Sequence, residues 1–245
     1  MSDPQGLWYA QLAEAYDLGR SGYPPEILDG IEAERVLDLA AGTGKLSALL
    51  AGRYPEVVAV EPVAAMREVL ERNVPGVRAL AGTAEAIPVD DESVDAVFVA
   101  EGFHWFDSAA AGRELERVLR PGGWLVVCFN FWRDGFAPGL TAEGRALVEQ
   151  VMAGLPPPGG PRIETGAWRQ GLAAFEPLEE RAVDHEWTTD AAGVASYYVS
   201  VSSTGSLSDA ARATMRARLL ALTPATTHRL PLTTRSYRGR RRPPG

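Results

Sequence analysis

The sequence predicts an α/β fold built on a doubly wound, mostly parallel sheet, and two observations carry that prediction. Apolar runs of strand length alternate with stretches of helical periodicity from Arg35 to Phe131. Those runs are continuous, as strands covered on both faces require. In addition, a turn rich in small residues (Ala40–Gly44) follows the first run and opens a helix, as at the ligand-binding end of open parallel sheets. The chain has 245 residues, 46% hydrophobic and 23% charged, enough for one large domain or one domain with a small cap.

The elements follow in order. Arg35–Ala40 (RVLDLA) reads as the first strand, with a helix from about Lys45 to Arg53. Val57–Val60 is the second strand, followed by helical Val63–Arg72, where Met66 and Leu70 share a face. Val77–Ala81 and Val94–Ala100 are the third and fourth strands. Gly112–Leu119 places Leu115, Val118 and Leu119 on one helical face before Pro121-Gly122-Gly123 stops it; Gly123–Phe131 is the fifth strand. Thr141–Ala153 and Glu164–Ala174 carry weak helical patterns on either side of the turn-rich Pro156–Pro161. Leu178–Thr188 alternates like a strand, and Thr189–Val201 and Ser206–Leu222 read as helices. Leu232–Arg238 reads as a strand, with Pro231 just before it because proline has no N–H to donate to a ladder. Arg238–Gly245 is expected to fray.

Several function classes are disfavoured. The start has no basic segment followed by an apolar stretch, and the longest apolar run, Trp124–Phe129, is too short to cross a bilayer. The cytoplasm is therefore the expected compartment, with no membrane partner. One cysteine, Cys128, excludes an internal disulfide framework, and three scattered histidines argue against a zinc site. A net charge of −8 argues against nucleic-acid binding by the whole domain.

The informative segment is VLDLAAGTGKLS, Val36–Ser47. Asp38 lies near the end of a buried strand, and Gly42 and Gly44 let a ligand approach the backbone. Glu61 ends the next strand, roughly 20 residues past the loop, where a carboxylate can accept from a ribose diol. Together these point to an adenosine-containing ligand. Its charge decides which one. A nicotinamide dinucleotide sets a pyrophosphate on the loop, and an acid at Asp38 would repel it; Leu46 and Ser47 also stand where a third glycine is sought. S-adenosylmethionine carries a sulfonium and an ammonium, which Asp38 can help neutralise. The residues thus favour S-adenosylmethionine over NAD.

The chain resembles the class I S-adenosylmethionine-dependent methyltransferases, in the methyltransferase type 11 and trans-aconitate methyltransferase-like group. The motifs are DLAAGTG (Asp38–Gly44), VVAVEP (Val57–Pro62), GTAEAIP (Gly82–Pro88), DAVFVAEGFHWFD (Asp95–Asp107) and RVLRPGGWLVV (Arg117–Val127), in register. The resemblance implies a seven-stranded, Rossmann-like sheet with an antiparallel edge hairpin and a small helical cap. It implies boundaries of an N-terminal lid (1–34), a cofactor-binding core (35–132), a cap insertion (133–176), edge elements (177–238) and a disordered tail (239–245). It assigns Asp38, Ala40, Gly42, Gly44, Glu61, Pro62, Met66, Thr83, Ala84, Glu85 and Glu101 to the cofactor, Ala40 standing where the commonest motif has glycine. The lead-in AEAYDLGRSGYPPEIL adds Tyr16 and Arg20 to the cofactor site, and Tyr23 to the substrate side.

Phe103, His104 and Trp105 follow the fourth strand and are the implied substrate edge. His104 is the candidate base or substrate hydrogen-bond partner; an orienting role is the alternative. No metal is expected. The resulting expectation is a methyltransferase for a small carboxylate, hydroxyl or activated-carbon acceptor, monomeric or homodimeric. The alternatives are an NAD-dependent oxidoreductase and a non-catalytic S-adenosylmethionine-binding protein.

Overall fold

The structure, a computed structural model, describes residues 12–133, 139–155 and 163–243. Seven strands form one sheet: β1 (Arg35–Leu39), β2 (Glu56–Val60), β3 (Arg78–Leu80), β4 (Val94–Ala100), β5 (Leu119–Trp132), β6 (Glu179–Thr189) and β7 (His228–Arg240), in the order β3-β2-β1-β4-β5-β7-β6. The pairs β1–β2, β2–β3, β1–β4 and β4–β5 are parallel. β7 runs antiparallel to both neighbours. On the β5 side the Gly122 N–H donates to the Arg241 carbonyl and the Arg133 N–H to that of Pro231; toward β6 the Glu176 N–H donates to the Arg240 carbonyl. The chain leaves β1 toward β2 and β3, then returns to place β4 on the other side of β1. The carboxyl ends of β1 and β4 thus flank the switch point where ligands bind in such sheets.

Seven helices accompany the sheet among the described residues: α1 (12–18), α2 (Lys45–Ala51), α3 (Ala64–Asn73), α4 (Ser108–Val118), α5 (Ala142–Ala153), α6 (Ala191–Val199) and α7 (Asp209–Leu222). Short polar residues start four of them. Asp107, Thr141, Asp190 and Ser208 each accept backbone N–H groups that the first helical turn leaves unpaired. No helix among the described residues is long and apolar enough to cross a membrane.

Two compact units divide the chain. The larger comprises Tyr23–Asn130, Gly160–Val183 and Thr234–Gly245. Val36, Ala59, Phe98 and Val126 from its strands pack with Leu46, Leu50 and Leu70 from α2 and α3. The smaller comprises Met1–Gly22, Phe131–Gly159 and Asp184–Thr233, and its core joins Leu147 and Val148 of α5 to Val194, Tyr198, Met215 and Leu219 of α6 and α7.

Three expectations are corrected. Residues 163–171 form two 3₁₀ turns rather than a helix over 164–174. Gly166 there is left-handed, and the contact of Gly171 with the Ser108 carbonyl leaves no room for a Cβ. Pro231 lies inside β7 rather than before it, and only its carbonyl joins the ladder, accepting from Arg133. The tail is packed as far as Arg242: the Arg241 N–H donates to the Gly123 carbonyl, the Arg242 N–H to that of Ala174, and the Arg240 guanidinium covers Trp124 at 4.1 Å. Residues 244–245 lie outside the described residues.

Candidate functional site

The chemistry-bearing residues gather in the larger unit, at the carboxyl ends of β1, β2 and β4. Asp38 sits one residue before the end of β1 and is 1% exposed. The Ser47 hydroxyl, on the first turn of α2, donates to its Oδ2 at 2.6 Å. Burial, with a smaller contribution from Glu61, pushes its carboxyl up to about 7, against the opposing effect of Ser47.

Glu61 closes β2 and is also buried. Its Oε2 accepts the Gly42 N–H at 3.0 Å and its Oε1 the Val63 N–H at 2.9 Å. Burial raises its pKa, while those two N–H donors and the Arg67 charge oppose the rise. Arg67 on α3 donates to the carbonyls of Glu61 at 2.6 Å and Pro62 at 2.9 Å. Glu61 therefore ties the glycine loop to the end of β2, and one oxygen lone pair on each side remains for a further donor.

The loop between them is conformationally unusual. Ala40, Gly42 and Gly44 all have positive φ (58°, 57° and 87°), and Glu101, at the end of the neighbouring β4, has φ 59°. Left-handed backbone at a non-glycine residue costs about 1–2 kcal/mol, and such strain gathers at functional sites. Two such residues stand at the adjacent ends of β1 and β4. A Cβ on Gly102 would lie 2.9 Å from the Ala40 Cβ, so the two strand ends approach closely. Gly44 meets the side chains of Leu70 and Val74, which holds the loop against α3. Thr43, between the glycines, is 1% exposed, and its Oγ1 has no hydrogen-bond partner among the described residues.

Glu101 is oriented toward β5, where its Oε1 accepts the Asn130 N–H at 2.5 Å. Asn130 Oδ1 in turn accepts from the Thr234 hydroxyl of β7 at 2.5 Å. Cys128 lies buried beside these acids, and burial raises its thiol pKa, with Glu101 and Asp38 adding to the effect. The GTAEAIP segment turns back on itself through a bridge between Thr83 and Ala86. Ala84 is buried, while Thr83 and Glu85 are exposed; Glu85 accepts the Asp107 N–H at 3.0 Å. Met66 is buried on α3 and Pro62 is exposed.

The aromatic segment after β4 forms a 3₁₀ turn, Phe103–Trp105. Phe103 is fully buried between Phe106 (5.2 Å between ring centroids) and Trp168 (5.4 Å), so it packs the core rather than lining a surface. His104 and Trp105 are half-buried, their rings 4.7 Å apart, with Phe129 6.0 Å from His104. Trp168 also meets Phe129 and Tyr237, and forms with them an aromatic support under this turn. Tyr23 packs against the core of the larger unit.

Tyr16 and Arg20 belong to the smaller unit. There the Arg20 guanidinium lies 4.3 Å from the Tyr16 ring and 5.3 Å from that of Tyr197, and donates to Ser200 Oγ at 3.0 Å and the Ser200 carbonyl at 2.7 Å. Sequence reasoning passed over Thr43, Arg67, Asn130, Thr234 and Trp168 as neighbours of this region. Only Thr43, inside the loop motif, carried a local signal. The others reach it through tertiary contacts.

Residues 37–127 match the family model described as a methyltransferase domain. An uncharacterized methyltransferase of Mycobacterium bovis is 51% identical over 127 residues, covering 51% of this chain and 52% of that protein. A demethylmenaquinone methyltransferase of Clavibacter sepedonicus is 42% identical over 133 residues, covering 50% and 54%. The chain thus spans about half the length of the curated relatives it matches. A solved structure assigned as a type II methyltransferase from Anaeromyxobacter dehalogenans superposes with a TM-score of 0.65 at 26% identity, over 92% of this chain and 99% of that one.

Proposed function

We propose that this chain, whose residues 37–127 match a methyltransferase-domain model, transfers a methyl group from S-adenosylmethionine to a small-molecule acceptor. The observation that carries the proposal is the pair of buried acids, Asp38 and Glu61, joined through a left-handed glycine loop at the switch point. The donor set fits this cofactor. The loop brings bare backbone and the Thr43 hydroxyl to the strand ends, and two acids lie beneath it whose ionised forms suit a cationic ligand and oppose a diphosphate. Among the described residues no cluster of His, Cys, Asp or Glu is placed to hold a metal.

When bound, S-adenosylmethionine supplies an electrophilic methyl on a positively charged sulfur. Glu61, already anchored by two N–H donors, offers its remaining lone pairs to the ribose hydroxyls. Ala84, with Thr83 and Glu85 beside it, borders the adenine edge, and Met66 packs behind it. Gly42 and Gly44 admit the methionine part. His104 and Trp105 border the acceptor, and Phe103 holds their turn in place. Alignment of nucleophile, methyl and sulfur contributes most of the acceleration, on the order of 7–11 kcal/mol for well-oriented reactants. His104 accepts a proton where the acceptor is a hydroxyl or acidic carbon; a carboxylate acceptor needs no base. The demethylmenaquinone methyltransferase among the relatives supports a small acceptor.

Titration calorimetry with S-adenosylmethionine and with NAD tests the reading. Binding of the first and not the second is expected, and the reverse would overturn it. Glu61→Gln keeps the side-chain size but removes the charge, and should weaken S-adenosylmethionine binding by about 1.5–3 kcal/mol, the scale of a charged hydrogen bond. His104→Ala should leave that affinity intact while lowering turnover.

A further inference from the structure

We infer that Asp38 makes the site discriminate the methyl donor from its demethylated product by charge, giving up a proton when the cationic donor binds and regaining one after transfer. The inference rests on the proposed function and adds a specificity role to one of its residues.

The geometry assigns the proton to Asp38 rather than Glu61. Glu61 accepts two backbone N–H bonds, which favour its ionised form. Asp38 is more enclosed and has Ser47 as its bonding partner. Among the described residues, these charged and titratable groups surround the pair. β2 contributes Glu61, and α3 contributes Arg67, whose guanidinium is committed to two carbonyls beside Glu61. β4 ends in Glu101, bonded to the Asn130 N–H, and β5 contributes the protonated Cys128 thiol. Lys45 opens α2. Among the described residues the surroundings of Asp38 are thus short of positive charge, and burial at 1% exposure pushes its carboxyl up to about 7, so that the protonated form is well populated near neutrality in the absence of ligand. The buried Oγ1 of Thr43, with no partner among the described residues, marks the loop above as the place where a ligand's polar atoms enter.

Methyl transfer breaks the carbon–sulfur bond, leaves its electron pair on sulfur, and converts a sulfonium into a neutral thioether. In the site of the proposed function, the donor would bring near Asp38 one positive charge that the product lacks. The donor therefore draws the Asp38 proton off to solvent, and the product lets it return. Below neutrality the donor must displace that proton, so its advantage over the product shrinks as pH falls.

The experiment is titration calorimetry of the full chain with S-adenosylmethionine and S-adenosylhomocysteine at pH 6, 7 and 8, in two buffers of different ionisation enthalpy to count protons exchanged. The amino groups of the ligands titrate in the same range, so Asp38→Asn is measured in parallel. The donor-to-product affinity ratio of the wild type should fall about fivefold to tenfold from pH 8 to pH 6 relative to that of Asp38→Asn, as one linked proton requires. Ser47→Ala, which removes the bond favouring the ionised form, should move the midpoint of that fall to higher pH; this serves as the test if Asp38→Asn does not fold. Parallel ratios in wild type and Asp38→Asn, or an unmoved midpoint in Ser47→Ala, would overturn the inference and leave the proposed function standing. No binding of S-adenosylmethionine at any pH would instead overturn the proposed function.

Discussion

Ala40 and Gly102 form the tightest small-residue contact at the switch point, and their chemistry is separable. Ala40 is held at φ 58°, so Ala40→Gly should stabilise the fold by about 1 kcal/mol by removing left-handed strain. Gly102→Ala should cost about 1–3 kcal/mol, because its new methyl would lie 2.9 Å from the Ala40 Cβ while its other neighbours sit at 3.6 Å. Combining the two should recover most of that cost. Denaturant melts of the four proteins measure the coupling; simple additivity would show that the contact is not what excludes a side chain at Gly102. The motif made Ala40, Gly42, Gly44, Asp38 and Glu61 legible because a ligand loop is a local device, written in consecutive residues. Arg67, Asn130 and Thr234 were illegible for the opposite reason: each acts across a gap in sequence that only the folded sheet closes.

At the scale of elements, glycines set how closely backbones approach. Gly19, after α1, lies so close to the backbone of α6 that an added Cβ would stand 2.5 Å from the Tyr197 nitrogen. Gly19→Ala should therefore push α1 off α6 and destabilise the smaller unit by about 1–3 kcal/mol, seen as faster amide exchange in α1. Arg117 on α4 works differently. It donates to the carbonyls of Ile87 and Val89 and to Asp91 at 2.8 Å each while pairing with Glu114, and Glu114 itself accepts the Ile87 N–H. One planar cation thus fixes the loop between β3 and β4. Arg117→Lys keeps the charge and loses the fork, so a loss of about 1–2 kcal/mol is expected by thermal melt. The long parallel-strand pattern foretold α4 and β4, but not the 3₁₀ turns at 163–171, whose glycines weaken any helical period.

For the whole molecule, the buried acid makes stability depend on pH. Burial pushes the folded Asp38 carboxyl up to about 7, against the ordinary 3.8 it keeps in the unfolded chain. The folded state therefore binds a proton more tightly than the unfolded chain. Its contribution is most favourable below 3.8, declines as pH rises toward 7, and is flat above; the full span is on the order of 4 kcal/mol. Asp38→Asn, neutral throughout, should show a melting-temperature advantage that grows from pH 5 to pH 8. An advantage constant over that range would mean that the carboxyl is already charged at pH 5. The parallel half of the sheet was readable from apolar runs alone. The two edge strands were readable from alternation as well, but their antiparallel pairing came only with the family resemblance, and Pro231 hid the strand's true start at His228.

That edge has a consequence for synthesis. β7 comes after every other strand in the chain yet lies between β5 and β6. A nascent chain still lacking it presents the open ladder of β5 to the cell, with neither neighbour β7 nor the partner beyond. Such unpaired ladders recruit other strands. Translation must therefore run nearly to Arg242 before the sheet can close.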